Sequence, residues 1–189
     1  MNATVVIEEL DADAFDRAVP DLAETLRACV LAGASIGFIL PFPFEAAADF
    51  WRSLIPAVRT GDRRLLVARL DERIVGTVQV VLSMPANGRH RAEIAKMLVH
   101  PSARRRGIAR ALMMRAEETA RQAARSLLVL DTRTGDKAEP LYRSLGFALV
   151  GVVPAYARSI EGVLESTSVM YKLLEPDAIM SARHDRIGL

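Results

Sequence analysis

The chain has 189 residues, enough for one globular domain around a single core. Apolar residues make up 51% and charged residues 25%, a balance that excludes an intrinsically disordered polymer. Lys and Arg number 25 against 23 Asp and Glu, and the resulting net charge of +2 supplies no general field to recruit nucleic acid or an anionic membrane. The one cysteine, Cys29, excludes an intrachain disulfide and fits a small core residue in a reducing cytoplasm. Met1 to Asp13 alternates apolar and acidic residues, so no export signal is expected. Ala28 to Phe44 is uncharged but too short to span a bilayer, and Gly33, Gly37, Pro41 and Pro43 interrupt it.

In chain order, Val5 to Leu10 reads as a first strand. Asp21 to Ala32 reads as a helix with Leu22, Leu26, Val30 and Leu31 on one face, stopped at Gly33. A proline-broken loop leads to a second helix, Glu45 to Val58, closed by Gly61-Asp62. Leu65 to Leu70 and Ile74 to Leu82 form an antiparallel hairpin across Asp71-Glu72-Arg73, and Asn87-Gly88 marks the next turn. Arg91 to Val99, Arg105 to Arg125 and Ser126 to Asp131 then give strand, long helix and buried strand, a parallel crossover. A short helix, Asp136 to Leu145, ends at Gly146, and Phe147 to Val153 and Thr167 to Leu173 supply two final strands. The expected fold is a mixed α/β domain over residues 1–175, its mostly antiparallel central sheet carrying one parallel crossover and flanked by helices. Residues 176–189 form a polar tail of the kind often disordered at a terminus.

The segment from Met97 to Ala109 carries the strongest chemical signal. Arg104, Arg105 and Arg106 stand at a predicted helix start, where the macrodipole is already positive and cations cost a few tenths of a kcal/mol. An anion removes the conflict. The free N–H groups of a first helical turn, with Gly107 allowing close backbone approach, suit a phosphate or pyrophosphate. Ile108, Ala111, Leu112, Ala116, Thr119, Ala120 and Ala123 share one face of the following helix, which mounts the turn on the core. The competing interpretation is a solvated basic turn.

Arg104-x-x-Gly107-x-Ala109 after Val99-x-Pro101 resembles the cofactor loop of the GCN5-related N-acetyltransferases (GNAT). Leu141-Tyr142-Arg143-Ser144-Leu145-Gly146-Phe147 is similar to that family's Leu-Tyr-x-x-x-Gly-Phe block, and the order of elements agrees from about Val5 to Leu174. His90-Arg91-Ala92-Glu93 and Leu130-Asp131-Thr132 resemble the tabtoxin-resistance acetyltransferases in particular. Two departures are visible: Ala109 stands where glycine is commoner, and Gly135 where many members place a cofactor-contacting asparagine.

The resemblance implies an acetyl-CoA-dependent N-acetyltransferase that needs no metal. Its phosphate cradle would be Arg104, Arg105, Arg106, Gly107, Ile108, Ala109 and Arg110, with pantetheine running along the main chain of Met97, Leu98 and Val99. Glu93 and Asp131 would take the proton of the acceptor amine, and Tyr142 would protonate the departing thiolate. Six residues of extended strand put Glu93 roughly 20 Å from Val99, about the reach of a pantetheine arm. Strand alternation puts Glu93 on the same face as Met97 and Val99 unless a bulge shifts the parity. The competing roles are structural: Glu93 paired with Arg91 or Lys96, Asp131 capping a loop, Tyr142 packed on Phe147.

Ser35, Phe38, Phe42 and Tyr156 are candidate acceptor contacts, or ordinary core. The acceptor implied is a small-molecule primary amine such as an amino acid or a β-lactam amino-acid analogue, on a monomer or homodimer. A catalytically silent acyl-CoA-binding sensor or assembly module is the other class. Gly33-Ala34-Ser35-Ile36-Gly37 matches a serine-hydrolase elbow in letters only, since a helix rather than a strand precedes it. His90, His100 and His184 fall outside zinc-site spacing.

Overall fold

A computed structural model describes residues 4–174, so the tail expected from residue 176 lies outside the described residues. The elements are β1 (Val6–Leu10), α1 (Ala12–Leu31), α2 (Phe44–Arg59), β2 (Arg63–Leu70), β3 (Arg73–Val81), β4 (Arg91–Val99), α3 (Ile108–Gln122), β5 (Leu127–Arg133), α4 (Ala138–Ser144), β6 (Ala148–Arg158) and β7 (Leu164–Leu173). The strands form one sheet in the order β1-β2-β3-β4-β5-β7-β6. Among the described strands only β4 and β5 run parallel, as the crossover through α3 requires.

Two cores sandwich the sheet. On one face Leu66, Val78, Val80, Ala92, Ile94, Leu128, Leu130 and Met170 pack against Ile108, Leu112, Met113, Ala116 and Ala120 of α3, with Tyr142 and Phe147 beside them. On the other, Leu65, Val67, Ile74 and Leu98 pack against Phe15, Leu22, Leu26 and Val30 of α1 and Trp51 of α2. Consecutive residues such as Leu65 and Leu66 enter opposite cores, the alternation that a sheet buried on both faces demands.

Several boundaries differ from the sequence-based expectation. Helix α1 begins at Ala12 rather than Asp21, capped by the Asp11 carboxylate, which accepts from Ala14 N at 2.7 Å, and it runs through Pro20. An internal proline costs about 3 kcal/mol. Phe15 at 0% and Val19 at 2% exposure offset this, since full burial of such side chains contributes about 1.5–3 kcal/mol each. Helix α3 starts at Ile108, not Arg105, because Arg105 (φ 63°) and Gly107 (φ 76°) are left-handed and keep the chain out of the helix until Gly107 caps it. Strand β5 continues past Asp131 to Arg133, and β6 extends to Arg158, each held by its ladder to β7.

Candidate active site

The three arginines therefore lie in the loop before α3 rather than in its first turn. Ala111 N is the first amide to return into the helix, bonding Gly107 O at 3.0 Å, so the amides of Ile108, Ala109 and Arg110 have no intrahelical acceptor, and no side chain caps them. With Val99, Ala103, Arg104, Arg105, Gly107 and Leu141 they line a depression of about 240 Å³. Arg104 Nε donates to Val99 O at 3.3 Å, and Arg110 Nη2 donates to Ser144 Oγ at 2.7 Å, tying the cradle to β4 and α4. Arg105 and Arg106 are exposed. Amide donors, a helix N-terminus and clustered guanidinium groups on one depression suit an oligophosphate anion. Cys29, read as a small core residue, is buried on α1, and its Sγ donates to Val99 O at 3.4 Å. Burial pushes the thiol pKa up, opposed by the Arg104 charge.

Strand β4 connects this cradle to the carboxylates. Its ladder to β3 passes from Gln79↔Ala95 to Thr77↔Leu98, so Lys96 and Met97 together oppose Val78. Lys96 takes a left-handed φ of 48° at this bulge. One extra residue inverts the alternation: Ile94 packs on the α3 side, Leu98 on the α1 side, and Met97 and Val99 on the α3 side. The bulge that would shift the parity is thus present, and Glu93 does not share a face with Met97 and Val99 as an uninterrupted pleat would require. The ladder between β4 and β5 ends at Glu93↔Val129. Beyond that pair the two strands diverge, leaving the edge of β4 from Ile94 onward free of β5 and open between the two faces of the sheet.

Glu93 faces the α2 side, in a cavity of about 210 Å³ lined also by Phe50, Leu54, Arg63, Gln79, Val81, Ala95 and Lys96. Arg63 Nη1 donates to Gln79 Oε1. Burial lowers the pKa of Arg63 while the Glu93 carboxylate raises it. The Lys96 ammonium lies 5.8 Å from the Phe38 ring and 5.7 Å from the Phe50 ring. Burial pulls its pKa below the usual lysine value, against the raising effects of Asp131 and Glu93, with Arg63 adding to the depression.

Asp131 is exposed on β5 and accepts from Thr167 Oγ1 at 3.4 Å. It does not end the strand, as expected, but lies inside it. Tyr142, 5% exposed on α4, packs 6.0 Å from the Phe147 ring. Burial, then Asp136 and Asp131, raise its pKa strongly, which favours the protonated phenol. Phe38 reaches Lys96, whereas Phe42 is 8% exposed and packs 4.6 Å from Phe38 as core support. Ser35 is half-buried and does not line the cavity. Tyr156, 57% exposed on edge strand β6, is also absent from its lining. Gly135 (φ 75°) needs glycine-like backbone freedom, and its N donates to Glu139 Oε2 at 3.2 Å.

A family model described as "Acetyltransferase (GNAT) family" matches residues 34–147, more than half of the chain. The chain belongs to that acetyltransferase family. An uncharacterized N-acetyltransferase from the hisH-hisA intergenic region of Azospirillum brasilense is 32% identical over 122 residues, covering 64% of this chain and 71% of the relative. Ribosomal-protein-alanine N-acetyltransferase from Brucella melitensis superposes with a TM-score of 0.76 at 24% identity, over 89% of this chain and 99% of that one. The yncA protein of Salmonella typhimurium, solved with its cofactor acetyl-CoA, gives 0.73 at 19% identity, over 92% and 98%. The GNAT fold expected from the resemblance is the fold observed.

In this acetyltransferase Arg63, Gln79, Lys96 and Phe50 line the same cavity as Glu93 without belonging to any motif of the sequence. Lys96 enters the sequence pattern only as a counter-ion for Glu93, whereas Thr77 and Gln79 are polar residues at alternate positions of β3, and two buried polar side chains on one strand face are the available signal. Among the described residues no group of three or more His, Cys, Asp and Glu could hold a metal ion. No described helix is long and apolar enough to cross a membrane.

Proposed function

We propose that this enzyme transfers the acetyl group of acetyl-CoA to the primary amine of a small molecule by direct attack in a ternary complex. The observation that carries the reading is the opening between β4 and β5, with the arginine cradle and Met97 and Val99 on one face and Glu93 on the other. Donor and acceptor enter from opposite faces and meet there. Acetyl-CoA supplies an activated thioester and a thiolate leaving group. The amides of Ile108, Ala109 and Arg110, with Arg104, Arg105 and Arg106, hold the pyrophosphate, and the free edge of Met97, Leu98 and Val99 pairs with pantetheine like an added strand. An N–H on that edge polarises the thioester carbonyl.

Glu93, assisted by Asp131, accepts the amine proton directly or through water. The nitrogen bonds to the acetyl carbon, the C–S bond breaks, and the Tyr142 phenol delivers its proton to sulfur, regaining one from solvent as Glu93 releases the amine proton. The acceptor is an amino acid or a β-lactam amino-acid analogue of the tabtoxin type, and the setting is the cytoplasm. That reading makes antibiotic or toxin resistance the biological role.

The test pairs two assays. Acetyl-CoA at about 100 times its Kd should stabilise the fold by roughly 2.7 kcal/mol, read as a rise in Tm. Thiol release is then followed across a panel of amino acids, simple amines and an alanine-initiated peptide. No rise in Tm removes the donor assignment. A rise without release of CoA favours a silent acyl-CoA sensor, and release from the peptide alone moves the acceptor from small molecule to protein.

A further inference from the structure

The cavity on the α2 face carries more hydrogen-bond donors than acceptors. A guanidinium donates and never accepts, so Gln79 must turn its Oε1 toward Arg63. Its amide nitrogen is then a surplus donor: Gln79 is 1% exposed, and Nε2 is buried with no partner among the described residues. Arg63 Nε is likewise buried and unpartnered. Native proteins seldom leave such groups unpaired without a functional reason. The lining also holds two cations, Arg63 and Lys96, against the single carboxylate of Glu93, while Asp131 faces Lys96 from β5 outside the lining. Phe50 and Leu54 form the apolar wall of the space.

We infer that the acceptor carries an oxyanion, a carboxylate or a phosphonate, which the Arg63 guanidinium and the Gln79 amide hold while its amine points to Glu93. The inference rests on the reading that this cavity receives the acceptor. The register supplies the spacing. Arg63 pairs with Val81 and Val81 with Glu93, so the two ionic side chains stand in one row across three strands, about 10 Å apart at Cα. Both side chains reach into the cavity from that separation, which leaves room for an acceptor with only a short spacer between anion and amine. An uncharged amine would leave buried donors unpaired, and a site of that kind discriminates strongly.

The experiment compares glycine, β-alanine and larger amino acids with their carboxamides, and includes aminomethylphosphonate. Binding is read as the Tm shift with CoA present, and turnover as thiol release. Acids should bind about tenfold or more tightly than matched amides. Arg63→Gln should cut that ratio below about threefold, with Arg63→Lys intermediate, because a point charge lacks the guanidinium fork. Gln79→Leu should lower the ratio in part, and a retained acetyl-CoA shift in each variant certifies its fold. The carboxylate and phosphonate arms identify which oxyanion is preferred. Equal binding of acids and amides by the unmodified enzyme overturns the inference, as does a preference that Arg63→Gln leaves intact. A preference without CoA release upholds the oxyanion site and removes the transferase reading, whereas equal release from acids and amides does the reverse.

Discussion

Gly76 locks the start of α3, the proposed cofactor cradle, to the sheet, and Gly76→Ala measures how tightly. Gly76 pairs with Val99 in the β3–β4 ladder, and a Cβ built on it would meet Leu98 O at 3.0 Å, Leu112 Cδ1 at 3.0 Å and Ile108 Cγ2 at 3.1 Å. The first is backbone, and the other two belong to side chains at 0% and 2% exposure on the first turns of α3, so each must give by a few tenths of an ångström inside a packed core. Overpacking of this kind costs about 1–3 kcal/mol, and the reduced unfolded-state entropy of alanine returns about 0.4–1 kcal/mol. The net loss of about 1–2 kcal/mol lowers Tm by roughly 2–8 °C for a domain of this size. Because Ile108 opens α3, the displacement also moves the Ile108, Ala109 and Arg110 amides, and acetyl-CoA affinity should fall about tenfold, removing about 1.4 kcal/mol of ligand-induced stabilisation. Scanning calorimetry with and without acetyl-CoA reads both effects. Gly162→Ala is the control. Gly162 has φ 84° and no atom within 4 Å of its added Cβ, so it should lose about 1–2 kcal/mol to backbone strain alone and keep its acetyl-CoA shift. A Gly76→Ala protein melting within 1 °C of the parent, with unchanged acetyl-CoA affinity, would refute the wedge.

Removing the proposed acid by Tyr142→Phe should lower kcat by about 10²-fold while acetyl-CoA binding stays within about twofold, measured by steady-state kinetics and calorimetric titration. Replacing the proposed base by Glu93→Gln should cost a similar factor in kcat, and unchanged turnover would transfer that role elsewhere. The Cys29 thiol, buried and held above its ordinary pKa, should resist a disulfide reagent at pH 8 until the fold is opened by denaturant, with absorbance of the released thiolate as the readout. Lys96→Met should raise Tm at pH 7. The folded pKa of Lys96 lies below 10.5, so the folded state releases its proton before the unfolded chain does, and native stability rises with pH toward 10.5. The advantage of Lys96→Met should therefore shrink across that window, and a gain that does not change with pH would point to packing instead.

The local code of the chain determined the sequence of elements and the cradle. Strands with apolar runs, helices with one apolar face and punctuating Gly and Pro are read within a dozen residues, and each element expected from them is present. The arginine loop was legible for the same reason: dipole, glycine and basic residues all lie within Arg104 to Arg110. Where an element began or ended was less so. The apolar periodicity marks a helix only from Asp21, yet the burial of Phe15 and Val19 carries α1 through Pro20 from Ala12, and Arg105, expected as a helix start, stands in the loop because its backbone is left-handed.

What the tertiary structure alone decided is the relation between strands. The bulge at Lys96 exists because β4 must satisfy the ladder of β3, a partner remote in sequence, and that single extra residue sends Glu93 and Met97 to opposite faces. The opening after Glu93↔Val129 depends on how far two parallel strands stay together, which no local pattern encodes. The pairing of Arg63 with Gln79 joins residues 16 apart across β2 and β3, and the Lys96 ammonium meets Phe38 and Phe50 only after the loop from Ala32 to Pro43 folds over α2. Chemistry within one turn of backbone is written in the neighbouring letters. Chemistry that needs three strands and a loop follows from the packing of two cores against one sheet.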